Sequence, residues 1–154
     1  MAKATFTMPE GLISTISKLG NKTDEIIEKS LKAGAEVIED KVRNNLSDVI
    51  GKDTKTDSRS TGELLSSFGT SPPLVDRNGN YNIKVGFAEP RKEQNTAKGK
   101  RSYKERTNAM IAAVLEYGKH GQTPKPFLKP AISSGKKEAT AAMVAKFDEE
   151  VGKL

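Results

Sequence analysis

Apolar residues recur at steps of three and four along one long stretch of the chain: Ile27, Leu31, Ala35, Ile38, Val42, Leu46 and Val49. That spacing predicts a single amphipathic helix from about Asp24 to Ile50, roughly 40 Å long at about 1.5 Å per residue. Such a helix is long for a domain of this size, so part of one face is free to serve a neighbour. Ahead of it, Leu12, Ile13, Ile16 and Leu19 make a shorter helical stripe that Gly20-Asn21 breaks. Gly51 to Arg59 is polar and reads as a loop. Ser60 and Glu63 then have the S-x-x-E spacing of a capping box, opening a short helix through Leu64 and Leu65. The period next changes to two. Tyr81, Ile83, Val85 and Phe87 alternate with polar or small residues, which predicts a strand with one apolar face. Asn78-Gly79 suits a hairpin turn, and the partner strand falls around Phe68–Val75. Pro72-Pro73 cannot donate ladder hydrogen bonds, so that part belongs at a sheet edge.

Helical spacing returns after Thr107, a candidate cap, with Met110, Ile111, Val114 and Leu115 expected to face inward until Gly118. The stretch Ile111–Ile132 reads IAAVLEYGKHGQTPKPFLKPAI. Gly118 and Gly121 accept positive φ angles at little cost. Pro124, Pro126 and Pro130 fix φ at about −65° and hold the residue before each in an extended state. This segment therefore offers Phe127 and Leu128 on a stiff arm. Pro130 suits the first turn of a last helix whose stripe is Ile132, Ala139, Met143, Phe147 and Val151. The predicted class is α+β: a long N-terminal amphipathic helix, a small antiparallel sheet with a hairpin, and a C-terminal helix. Residues 1–154 are read as a single domain.

Composition sharpens this picture in two ways. Hydrophobic residues make up only 34% and Trp is absent, so the core should be thin and burial against neighbours useful. The net charge of +6 is concentrated in one place. Arg91, Lys92, Lys98, Lys100, Arg101, Lys104 and Arg106 face only Glu93 and Glu105, a local excess of five positive charges. The stretch is expected to be a flexible loop with three open roles: a solvated segment, a dock for an acidic protein, or a contact with DNA. For the last, Tyr103 offers a stacking ring beside the phosphate-binding cations.

Catalytic chemistry is missing from the pattern. His120 is the only histidine and lies in a turn between Gly118 and Gly121, where a solvent-facing role is expected. Without cysteine there are no disulfides or thiolate metal sites. Asp24, Glu25 and Glu28 suit the N-terminal end of the long helix dipole. No glycine-rich phosphate loop occurs. The sequence thus predicts no catalytic, metal or cofactor-binding residue, and no enzyme. No window approaches the roughly 18 consecutive apolar residues of a membrane span. MAKATFTMPEG has no apolar run after its lysine, so no secretory signal is read and no membrane partner is expected. Phe127 has two open roles, a plug in the protomer's own core or an anchor in a neighbour's pocket.

Four short motifs, in order, carry a resemblance: Thr61-Gly62-x-Leu64, Val85-Gly86-Phe87, Glu116-Tyr117-Gly118 and Pro126-Phe127-Leu128-x-Pro130-Ala131. With the flanking helices, from about Leu12 to Val151, the chain resembles the tail-component family of long-tailed bacteriophages. These are head–tail joining proteins of the neck, also called tail-completion proteins. The resemblance implies a non-enzymatic virion protein, assembled in the host cytoplasm, whose copies form a ring between the head connector and the tail. Its implied partners are itself, the connector, tail-terminator or tail-tube proteins, and DNA in the channel. Glu116, Tyr117, Pro126, Phe127 and Leu128 would then form a neighbour-contacting arm. The Arg91–Arg106 loop would face DNA or an acidic partner. The alternative from charge alone is a small basic nucleic-acid-binding domain.

Overall fold

The long helix is present as α1, Thr23–Val49, close to its predicted bounds. A computed structural model of the protein describes residues 20–53, 60, 62–88 and 107–153. The stripe at Leu12, Ile13, Ile16 and Leu19 and the basic stretch at 91–106 lie outside the described residues, as does most of the polar loop after Gly51. A short 3-10 turn, Gly20–Lys22, leads into α1, and the Thr23 hydroxyl donates to the Gly20 carbonyl at 3.0 Å. Asp24 and Glu25 occupy the first turn, where the helix dipole favours anions.

The second long element, α4, spans Leu128–Val151 and packs antiparallel to α1, with Asn45 beside Phe127, Gly34 beside Met143 and Lys29 beside Glu150. Small residues set the spacing. A methyl group built on Gly34 would lie 2.1 Å from Met143 Cε, and one on Gly135 would lie 2.8 Å from Ile38 Cδ1. Backbones this close leave room for little else on the facing lines, which corrects the predicted stripes at two places. On α1 the buried line in the first half is Ile26, Ser30 and Gly34, while Ile27 and Leu31 are only half-buried. On α4 it is Ala131, Gly135 and Ala139, and Ile132, one step of about 100° around the helix, is 46% exposed. Buried Ser30 is satisfied by donating to the Ile26 carbonyl at 2.8 Å.

The far end of this pair is held by charge. Glu150 is buried and accepts from Lys153 at 2.7 Å and from Lys29 of α1 at 2.8 Å, with Lys146 at 3.2 Å. A carboxylate at a helix C-terminus opposes the dipole, and these three cations offset it. The bonds from Lys153 and Lys29 pull the Glu150 carboxyl down to about 2.

Between α1 and α4 in sequence come a short helix α2, Glu63–Ser67, and four short strands. The N-cap of α2 is Gly62 at φ 77°, so the capping box centred on Ser60 is displaced. Ser60 lies two residues too early to be the cap; its Oγ accepts instead from the Gly62 N–H at 3.4 Å. Strands β1 (Phe68–Thr70) and β4 (Val85–Phe87) pair antiparallel, as do β2 (Leu74–Val75) and β3 (Tyr81–Asn82). They form one hairpin with a break. Phe68 faces Phe87, whereas Leu74 faces Asn82, so the first arm holds one extra residue. Pro72-Pro73 sits in that break, and the Ser71 hydroxyl accepts from the Lys84 N–H at 3.1 Å. At the tip Gly79 takes φ 81°, and Asp76 Oδ1 accepts from the N–H groups of Asn78 and Asn80.

Arg43 docks the hairpin on α1. Its Nη1 donates to the Leu65 carbonyl at 3.1 Å and its Nη2 to that of Phe68, while Glu39 holds its Nε at 2.9 Å. The guanidinium lies 5.8 Å from the centre of the Phe68 ring. Below this the core gathers Val42, Leu46, Leu64, Phe68, Ala112, Phe127 and Ala131. Phe87 bridges its two largest members, 5.0 Å from Phe68 and 6.3 Å from Phe127, ring centre to centre. Arg43→Ala removes charged bonds to two carbonyls and a ring contact, so a loss of about 2 kcal/mol is expected in urea denaturation.

Candidate functional site

The stretch from Glu116 to Lys129 carries most of the predicted site, and it is built by two helices and the turn between them. The first is α3, Asn108–Tyr117, capped as predicted by the Thr107 side chain, which accepts from the Met110 N–H at 3.1 Å. Of its predicted inward residues, Ile111 and Leu115 pack against the core, half-buried, but the fully buried line is a different one. Asn108, Ala112 and Glu116 are buried at steps of four, and Met110 is 49% exposed. The reason is that both polar residues on this line bind backbone. Asn108 Nδ2 donates to the Ala88 carbonyl at 3.0 Å, tying together the two ends that flank residues 89–106.

Gly118 then turns the chain at φ 76°, and its N–H still reaches the Val114 carbonyl at 2.9 Å. Lys119 and Gln122 close a tight loop with His120 exposed at its tip. The return strand is pinned where the Lys125 N–H meets the Leu115 carbonyl at 2.7 Å. A methyl group on Gly118 would lie 2.8 Å from the Gln122 oxygen and 2.9 Å from the Pro124 nitrogen. Since those are backbone atoms, Gly118→Ala is expected to cost at least about 2 kcal/mol and to lower the thermal midpoint.

Glu116 performs the central task of the segment. Its Oε2 accepts the N–H groups of Phe127 at 2.8 Å and Leu128 at 2.9 Å, and its Oε1 accepts that of Lys129 at 3.0 Å. These are opening donors of α4, for which Phe127 at the N-cap supplies no side-chain cap. A carboxylate from α3 thus caps α4 from outside, in line with its dipole. Burial opposes the charge on Glu116. The three N–H donors and the Lys129 cation outweigh it and hold the carboxyl below its ordinary value of 4.5. The Phe127 carbonyl accepts from Asn45 of α1 at 3.1 Å, and its ring has no exposed surface.

The predicted arm residues therefore divide. Glu116 and Phe127 come together inside the protomer, with half-buried Leu128 beside them. Tyr117, 75% exposed, and Pro126 face outward. Arg91, Lys92, Lys98, Lys100, Arg101, Lys104 and Arg106 lie outside the described residues. Asn45 and Asn108 escape an apolar pattern because it treats a polar residue as outward. The signal for Asn108 is its place four residues before Ala112 on the buried line; Asn45 is half-buried beside Leu46. Glu116 spends both oxygens on backbone donors, so the clamp sets the geometry of the segment. Among the described residues, no group of three or more His, Asp or Glu is placed to hold a metal ion.

The outward side of α3 is also apolar. Met110, Ala113 and Tyr117, at steps of three and four, are all exposed. A helix apolar on both sides is characteristic of one that is covered on both.

Residues 10–118 match the family model described as "Bacteriophage HK97-gp10, putative tail-component". The chain belongs to this family. It is a tail component of a bacteriophage virion, in the structural class. The HK97-gp10-like match takes in α1, the hairpin and α3, and closes at Gly118. Three of the four motifs fall inside it; Pro126–Ala131 and α4 lie beyond. No curated protein and no solved structure matches the chain.

Proposed function

We propose that this tail component is a non-enzymatic neck protein whose copies form a ring joining the head connector to the tail. The observation that carries the reading is the two-sided apolar character of α3. Its inner side closes the protomer's own core. Its outer side, Met110, Ala113 and Tyr117, offers a neighbour an apolar strip with an aromatic residue at one end. The exposed Pro126 belongs to the same arm and extends it at low entropic cost, because its backbone is already fixed. Head-to-tail contacts of one such strip with a different surface on the next copy close into a ring. The neighbours above and below are the connector and a tail-terminator or tail-tube protein.

Met110→Glu with Tyr117→Glu tests this. Both positions are exposed, so the unfolding midpoint should barely move, while oligomers and joined particles should be lost. Normal joining by the double variant would remove the outer side of α3 from the assembly. The basic stretch, whose flanks Asn108 and Ala88 are tied together, favours a second role in touching DNA or an acidic partner ring. Titration with duplex DNA at several salt concentrations separates these. Phosphate contacts make affinity fall steeply with salt, and a flat or absent response leaves the acidic protein partner.

A further inference from the structure

An open apolar groove of about 270 Å³ runs between the first half of α1 and the second half of α4. Ile27 and Leu31 form one wall, Met143, Val144 and Phe147 the other, and Val144 is 54% exposed. Ser30, the one polar lining residue, turns its hydroxyl to the Ile26 carbonyl. The groove exists because the small-residue packing of α1 against α4 draws Ile26, Ser30 and Gly34 inward and leaves Ile27 and Leu31 beside the seam.

We infer that the groove is the docking site for residues 11–19 of the same chain. The sequence of that segment, GLISTISKL, puts Leu12, Ile13, Ile16 and Leu19 on one helical side and Ser14, Thr15, Ser17 and Lys18 on the other. Its apolar side has the chemistry that this groove accepts. The point of attachment also fits. The segment joins the described chain at Gly20, which takes φ 48° with open space around it and can reverse the chain just ahead of α1. Nine residues of helix folded back from there would extend about 13 Å, against about 12 Å from Thr23 to Leu31. In that reversed register Ile16 falls beside Ile27, and Leu12 and Ile13 beside Leu31. The family match begins at residue 10, so this segment is part of the shared domain.

The chain has no cysteine, so introduced pairs report cleanly. Ile16→Cys with Val144→Cys should form a disulfide within one chain about tenfold or more faster than Ile16→Cys with Ile132→Cys. Position 132 is comparably exposed but about 18 Å away along α4. In the cysteine-free chain, amides 12–19 should resist hydrogen exchange, and Val144→Glu should abolish that protection while leaving α1 and α4 protected. Equal rates for the two pairs, or unprotected amides 12–19, would overturn the inference. A disulfide formed only between chains would also overturn it, by giving the groove to a second copy. None of these readouts depends on ring formation.

Discussion

Phe127→Ala is expected to lose about 3–5 kcal/mol of stability, the cost of emptying a fully buried aromatic site. For a domain whose whole stability is about 5–15 kcal/mol, this is enough to unfold a sizeable fraction of molecules. The magnitude follows from position. The ring has no exposure, meets Phe87 edge-on, and joins α1, α3 and α4 at one point. Its backbone is held at the N–H by Glu116 and at the carbonyl by Asn45, so the surroundings have little freedom to close over the space. Urea denaturation of the isolated protomer is the deciding measurement. A variant as stable as the parent would show that the aromatic ring serves a neighbour and not its own core.

Glu116→Ala is expected to cost about 3 kcal/mol at neutral pH, because three backbone donors lose a charged acceptor. Glu116→Gln should lose less, since one amide oxygen can still accept. The pH dependence has a definite sign. The folded protein holds Glu116 below its ordinary 4.5, so the folded state favours the charged form more than the unfolded chain does. That contribution is complete above 4.5 and drains away as pH falls through the lower folded value. Glu150, pulled down to about 2, acts with the same sign over a window reaching lower. Stability should therefore decline from about pH 4.5 toward 2, and the glutamine variant should decline less steeply in the upper part of that range. An identical acid profile for parent and Glu116→Gln would show that the carboxylate does not cap α4.

Much of this fold is legible in the chain because local rules and packing agree. The extent of α1, the Thr107 cap and the Gly118 stop appear where the sequence places them, and the period-two strand appears in two pieces, β3 and β4. Apart from the helix start misplaced at Ser60, where Gly62 is the N-cap, the errors share one cause. Pattern reading assigns inward positions by apolarity, but α1 and α4 approach through Gly34 and Gly135, so the seam belongs to small residues and Ile132 is pushed outward. On α3 the same rule hid Asn108 and Glu116, whose polar groups are buried because backbone donors and acceptors require them. The order Glu116-Tyr117-Gly118 followed by Pro126-Phe127-Leu128 is visible in the sequence as an arm. Its reason is not, since no spacing rule tells that a carboxylate on one helix caps the next. The arm is thus split, with a clamp inside and Tyr117 and Pro126 outside, and only the outer part is free to meet another molecule.

Loss of the protein from an otherwise intact phage bears most directly on the proposed role at the junction between head and tail. Electron microscopy of such lysates should show filled heads and finished tails lying apart, with joining restored when the purified protein is added back. Complete particles, joined at the normal frequency without it, would contradict the assignment.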